Sequence, residues 1–427
     1  MYFFAFLIFG IFLGALANYA AAAWAWSPKR NHPWCHSDRP RPFWWKIPII
    51  GWFGMRKEAD RFGRGFWIRP LCVELGMGAF AGWFFQSQVM GMLILAFNHE
   101  IPITATFVWS LLARCAFQLV FIGLMLGASL IDFDEKTIPD QILIGGTLLA
   151  LVVSFFTPYT FDERKDGTDQ ILPVTQLLDF PLCKVESGED LIFPLNAASP
   201  NPPLEVFRNE KGGTWGLISA LLCWWGWCFA LMERHWRMNR GFRWACRIFW
   251  ERLKRTHSTL LLWNLLKWGT AAIIILWALA WPQWLTVWST LLGMGIAGSF
   301  MWILRIAAQF AMDREAMGFG DVLLMAMFGA FLGWQPCIVL FFLAPFAGLF
   351  LAIPRLIFLR DLETPFGPFL CLGALITMLY WPFFWNLTLP VFRLGPHLIT
   401  LGLGLLLLMV ILLTLIRWVE KLLGFDY

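Results

Sequence analysis

The sequence predicts an all-α protein, a polytopic bundle of transmembrane helices, and three observations carry that prediction. Of the 427 residues, 59% are hydrophobic and only 14% are charged, whereas soluble domains carry roughly 25% charged residues. So little polar surface has no way to shield this much apolar surface from water. The apolar residues also come in long uninterrupted runs. Finally, 27 Trp beside 42 Phe and 5 Tyr fit a chain whose aromatic rings collect at membrane–water interfaces.

A bilayer core of about 30 Å needs roughly 20 apolar residues per helix. Runs of this kind lie near 3–24, 71–97, 104–131, 141–157, 214–232, 259–280, 284–310, 321–335, 337–357, 367–387 and 397–417. The first begins at Met1 with no basic stretch before it and no clean small-residue cleavage site, so it reads as a retained helix and not a removed signal peptide. The run 321–335 is short for a full crossing, and only Trp281-Pro282-Gln283 separates two others. The resulting organisation is a first helix in 1–27, a basic loop in 28–70, and helices two to four with a first acidic motif in 71–157. An acidic, Pro-rich loop follows in 158–213. Further helices fill 214–310, with a basic insertion at 233–258, and a second acidic motif with the closing helices occupies 311–427.

Loop charges orient the bundle. Cytoplasmic loops collect Lys and Arg, and the 28–70 loop carries ten, from Lys29 and Arg30 to Arg64 and Arg69. The 233–258 insertion is similarly basic, from Arg234 to Arg255. Eleven crossings with both loops inside put the N-terminus outside and the C-terminus, with Arg417 and Lys421, in the cytoplasm. Two short polar connections, 132–140 and 312–321, then share the cytoplasmic face.

Composition also excludes functions. No basic stretch interleaved with stacking residues stands in a soluble context, so the expected partner is the lipid bilayer and not nucleic acid. The nine Cys lie mostly in apolar runs, where a lone Cys is a small hydrophobe; no disulfide framework emerges. H-E-x-x-H and G-x-S-x-G are both absent, which leaves a zinc-protease or serine mechanism without support.

The two polar connections hold the chemistry. One reads Ile131-Asp132-Phe133-Asp134-Glu135 and ends Ile138-Pro139-Asp140; the other reads Asp313-Arg314-Glu315-Ala316-Met317-Gly318-Phe319-Gly320-Asp321. Two carboxylates brought together from separate elements can hydrolyse an amide. In a poorly solvated site their repulsion splits the titration, leaving one ionised and one protonated near neutral pH. The ionised group takes a proton from water and the protonated group polarises the scissile carbonyl. Gly318 and Gly320, lacking Cβ atoms, let backbone, water and an extended substrate approach. Helix capping is the competing explanation for Asp321 and Asp140, each of which opens an apolar run. Asp132 closes a run, where the helix dipole disfavours an anion, so capping does not explain it. Ion coupling in a transporter is a further alternative, although such sites lie near the bilayer midplane and these acids read as membrane-edge residues.

At these residues the sequence resembles the type IV prepilin peptidases, membrane aspartic proteases of the GxGD type. Glu315-Ala316-Met317-Gly318-Phe319-Gly320-Asp321 is similar to the family's E-G-M-G-x-G-D, and Ile131-Asp132-Phe133-Asp134 through Pro139-Asp140 to its I-D-x-D…L-P-D. Thr364-Pro365-Phe366-Gly367-Pro368-Phe369-Leu370 is similar to its late I-P-F-G-P-x-L. Gly14-Ala15-Leu16-Ala17-Asn18, Ile47–Trp52 and Arg69–Gly76 add weaker N-terminal matches in the same order. Presenilin-type proteases, the neighbouring alternative, pair their Gly-x-Gly-Asp with Tyr-Asp, and Ile131 stands where that Tyr would be.

The resemblance implies an aspartic endopeptidase of the bacterial inner membrane that removes basic leaders from prepilins or pseudopilins at the cytoplasmic face. Asp132 and Asp321 are the implied catalytic pair, with Gly318, Gly320 and Glu315 on the substrate side. Asp134, Glu135 and Glu315 are placed to attract a basic leader. Glu74, inside an apolar run, is expected to pair with Arg69 or to line the site. Gly10 and Gly14 make a small-residue step for close helix packing. No cofactor is expected. The Cys pairs that hold zinc in relatives are reduced to Cys35 beside His32 and His36, half a tetrahedral site at most. S-adenosylmethionine enters only if the family's methyltransferase activity survives that loss.

Overall fold

The computed structural model describes residues 2–29, 31–37, 41–91, 93–94, 105–156, four short strands between 160 and 192, 213–232, 257–279, 283–312, 317–359, 365–392, 394 and 397–422. Its helices are α1 (Tyr2–Ala23), α2 (Ile50–Met55), α3 (Ala59–Phe62), α4 (Ile68–Phe85), α5 (Ala105–Glu135), α6 (Asp140–Phe156) and α7 (Gly213–Ala230). They continue with α8 (His257–Ala278), α9 (Gln283–Met312), α10 (Phe319–Leu332), α11 (Trp334–Leu359), α12 (Gly367–Leu379), α13 (Trp381–Phe392) and α14 (His397–Leu422). Hydrocarbon offers backbone groups no hydrogen bonds, so apolar runs of this length fold as helices that satisfy themselves internally. Among the described residues, five are long and apolar enough to cross a membrane: Tyr2–Ala23, Leu111–Glu135, Leu261–Ala278, Thr286–Met312 and His397–Val419. The protein is a multi-pass membrane protein.

The 158–213 segment holds two antiparallel ribbons: Thr160–Glu163 (β1) pairs with Asp169–Leu172 (β2), and Cys183–Lys184 (β3) with Leu191–Ile192 (β4). Strands this short leave no readable alternation in a sequence. They do not alter the helical class.

The centre of the bundle is α10. Every residue from Asp321 to Leu332 is buried, which suits a helix that is apolar on all sides. Phe331 stacks on Phe121 of α5 at 4.5 Å between ring centroids, and Phe328 meets the same ring edge-on at 5.6 Å. Gly146 of α6 leaves room for the Met327 side chain. On the other flank, a Cβ on Gly293 of α9 would strike the Gly329 carbonyl oxygen, and one on Gly329 the Gly293 oxygen. Mutual glycines let the two backbones touch, the usual way helices associate where lipid removes the hydrophobic incentive. The same device joins α1 to α4, where Gly10 abuts Ala81 and Met77, Gly14 abuts the Glu74 backbone, and Gly78 abuts Ile11.

Two left-handed residues end the helices that matter most. Gly333, at φ 86°, closes α10 with its N–H on the Gly329 carbonyl at 2.9 Å, the common Gly terminus. Lys136, at φ 56°, follows α5 and turns the chain into the loop 136–139. That loop and the starts of α10 and α12 meet at one end of the bundle.

Candidate active site

Asp132 lies in the last turn of α5, and its carboxylate accepts the backbone N–H of Gly367. Gly367 opens α12, with Pro368 beside it in the first turn, a position where a missing N–H costs nothing. An ideal Cβ on Gly367 would run into Asp132 Oδ2 and lie 3.0 Å from Ile138 Cδ1. The absence of that Cβ is what lets the start of α12 close on the acid.

Asp321 comes from α10. Gly318 is the N-cap, extended at φ −65° and ψ 153°, and Asp321 stands at the third helical position. Its carboxylate reaches back to accept the Gly318 N–H. This corrects the capping alternative: Asp321 is not the cap itself but supplies the returning half of a capping box. A Cβ on Gly320 would sit 3.4 Å from Ile138 Cβ. Ile138 therefore lies between the Asp321 turn and the Gly367 turn, one apolar side chain separating the two motifs.

The two carboxyl groups are within electrostatic reach of each other, and only 4% of Asp132 and 7% of Asp321 is exposed. Cys371, one turn beyond Gly367, is within reach of both acids and is hydrogen-bonded with Ser129, one turn before Asp132. Arg305 of α9 faces Asp321. Both acids are desolvated and each is fixed by one backbone amide.

The other residues singled out in the sequence divide clearly. Gly318 and Gly320 precede Asp321 in the turn that opens α10; Glu315 lies outside the described residues. Asp140 is exposed at the first turn of α6. Asp134 is engaged by this chain's own cations, Arg69 Nη1 at 2.6 Å and Lys29 Nζ at 3.7 Å. Glu135 accepts the N–H groups of Trp26 and Ser27 and the Ser27 hydroxyl at 2.6 Å. Neither is a ready docking charge; both tie the exit of α1 to the helix whose last turn carries Asp132. Gly367, Ile138 and Arg305 were not singled out for chemistry in the sequence. An Arg inside an apolar run was the available signal for the last of these.

Glu74 does not pair with Arg69. It is buried, 1% exposed, and accepts Trp52 Nε1–H at 2.7 Å and the Ile49 N–H. Asn18 Nδ2 donates to the Pro70 carbonyl at 2.9 Å and reaches Glu74 Oε1 at 3.5 Å. The three N-terminal stretches found in the sequence thus converge on one carboxylate. Nearby, His32 is enclosed by Tyr19, Trp34 and Trp52 at 5.0–5.7 Å between rings. Its Nδ1 accepts the Trp34 N–H at 3.2 Å, and burial followed by the Arg41 charge lowers its pKa from 6.5 to about 3. Arg41 donates to the His32 and Cys35 carbonyls and makes a two-pronged pair with Glu58 at 2.8 and 3.0 Å. One thiol, an exposed His36 and an imidazole with one nitrogen already taken do not fit a tetrahedral zinc centre. Among the described residues no three His, Cys, Asp or Glu gather as a metal set.

With this geometry in view, comparison with known proteins is direct. Residues 257–353 match the type IV leader peptidase family. The matched stretch runs from α8 into α11 and contains Asp321; Asp132 and Gly367 lie outside it. A prepilin leader peptidase/N-methyltransferase of Aeromonas hydrophila is 37% identical over 84 residues, 19% of this chain and 29% of that protein. The Legionella pneumophila protein of that name is 37% identical over 93 residues, 20% of this chain and 31% of its own length. That of Pectobacterium carotovorum subsp. carotovorum is 38% identical over 82 residues, 18% of this chain and 29% of its own. The aligned parts span less than a third of these curated relatives. No solved structure matches the chain. The family match covers α10, the helix that anchors the second half of the acid pair.

Proposed function

We propose that this chain is a prepilin peptidase, an aspartic endopeptidase that cuts the leader from type IV prepilins or pseudopilins. The observation that carries the reading is that Asp132 and Asp321, both nearly fully buried and each accepting one backbone amide, lie within electrostatic reach of each other. In the reaction, the ionised carboxylate removes a proton from a water whose oxygen bonds to the scissile carbonyl carbon. The protonated carboxyl gives its hydrogen to the carbonyl oxygen, forming a neutral tetrahedral diol. Collapse of the diol breaks the C–N bond: the proton taken from water passes to the leaving nitrogen, and one diol hydroxyl returns its proton to the second carboxylate, which restores the pair. Gly318, whose missing Cβ lies beside the Asp321 carboxylate, leaves that approach open for an extended substrate backbone, while Gly320 makes room for Ile138.

Cleavage is assigned to the cytoplasmic face of the bacterial inner membrane. The basic 28–70 loop shares an end of the bundle with the acid pair, through the Arg69–Asp134 and Lys29–Asp134 contacts, and basic loops stay inside. The names of the relatives join peptidase to N-methyltransferase. For this chain, whose N-terminal turn is held by Arg41–Glu58 and aromatic rings, the proposal is cleavage without methylation and without a cofactor. Mass spectrometry of the mature pilin N-terminus tests that half; a predominantly N-methylated product overturns it.

The test of the peptidase itself is co-expression with a prepilin. Asp132→Asn and Asp321→Asn are each expected to leave the precursor uncut while the protein still accumulates folded in the membrane. Normal processing by either variant removes that residue from the pair.

A further inference from the structure

The turn that delivers Asp321 contains Gly318 and Gly320, two residues with the widest backbone freedom. A catalytic group must be held to within about half an ångström, so a turn this permissive needs fixing from outside. Arg305, in the penultimate turn of α9, does this at two points. Its Nε–H donates to the Met317 carbonyl at 2.9 Å, immediately before Gly318. Its guanidinium carbon stands 5.6 Å from the centroid of Phe319, the residue between the two glycines. Trp302, one turn earlier on α9, meets the same ring edge-on at 6.0 Å. The guanidinium also faces the Asp321 carboxylate electrostatically.

An arginine within a membrane-spanning helix is costly, and its planar fork joins a directed N–H to a ring-stacking face, which a lysine lacks. α9 is itself locked to α10 by the Gly293–Gly329 contact, so Arg305 works from a rigid platform. We propose that Arg305 is a positioning residue for Asp321: it clamps the 317–319 turn on both sides of Gly318 and supplies the positive charge that the anionic carboxylate faces. The inference rests on the peptidase reading above.

The experiment measures kcat and KM for cleavage of a purified prepilin by the full chain in detergent, comparing wild type with Arg305→Met, Arg305→Gln and Arg305→Lys. Folding is checked for each by size-exclusion profile and thermal unfolding. Arg305→Met is expected to lower kcat roughly 10–100-fold, the size of one lost charge-assisted hydrogen bond, with KM changed less than about 3-fold. Arg305→Lys, keeping charge and a donor but not the stacking face, is expected to recover part of that loss, and Arg305→Gln, a neutral donor, less. Should Arg305→Met fail to fold, the order of Lys above Gln decides. A wild-type kcat in Arg305→Met, a loss confined to KM, or Lys no better than Gln overturns the inference. A wild-type chain that leaves prepilin uncut instead sinks the peptidase reading, and this inference with it.

Discussion

Gly367→Ala is the sharpest single perturbation of the site, because one methyl group meets the acid directly. The added Cβ would collide with Asp132 Oδ2 and lie 3.3 Å from Asp132 Cγ and 3.0 Å from Ile138 Cδ1. The mobile partner is the Asp132 side chain, so it is the acid that yields, rotating away and giving up the Gly367 N–H. A hydrogen bond to a charged group contributes about 1.5–3 kcal/mol, and a misplacement near 1 Å in a catalytic group costs on the order of 100-fold in rate. The expected result is therefore a fall of about 100-fold in kcat for prepilin cleavage, with a loss of only about 1–3 kcal/mol in stability from overpacking. Gly145→Ala in α6 is the matched control: nothing lies within 4 Å of its added Cβ, and Ala is the better helix former, so activity should stay unchanged. Wild-type kcat in Gly367→Ala would refute the placement of Asp132 against the start of α12.

Two further outcomes follow from the N-terminal network. Glu74→Ala strands the donors of Trp52 and Ile49, leaves Asn18 only the Pro70 carbonyl and frees Ile49 from a turn held at φ 63°; each stranded donor costs about 1–3 kcal/mol. The unfolding temperature in detergent should drop by several degrees while kcat of the folded fraction stays near wild type, and abolished cleavage at unchanged stability would move Glu74 into the chemistry. His32 titrates near 6.5 unfolded and about 3 folded, so from pH 6.5 down to 3 the unfolded state binds the extra proton. Stability is complete above 6.5 and falls by roughly 1.4 kcal/mol per unit below it; His32→Gln should flatten that slope in thermal melts, and an unchanged slope would contradict the burial described here.

Legibility from sequence tracks whether a feature is local. Helices declare themselves by length and apolarity, and Gly318-Phe319-Gly320-Asp321 announces itself within four residues. Asp132 stood out because a carboxylate at a helix C-terminus has no local excuse. The partners of these groups were not legible. Gly367 was visible as part of a familiar stretch, yet nothing local says which side chain fills the space of its missing Cβ. Glu74 reads as a candidate partner for Arg69, five residues away, but one turn of helix does not decide between that neighbour and Trp52 arriving from another segment. The charges of Asp134 and Glu135 could be counted but not assigned, since their partners Lys29, Arg69 and Ser27 are brought in by the packing of α1 and α4. Arg305 is the clearest case: an arginine in an apolar run signals cost, and only the fold shows the turn that it holds.

If Asp132 and Asp321 act as one unit, a double-variant cycle will show it. Residual prepilin cleavage should be measured for Asp132→Asn, Asp321→Asn and the two combined, with an assay sensitive enough to read the floor left by the singles. Residues that share one chemical step are grossly non-additive, so the combined variant is predicted to be no slower than the worse single. Losses that multiply, each variant lowering the rate independently of the other, would contradict a shared catalytic pair.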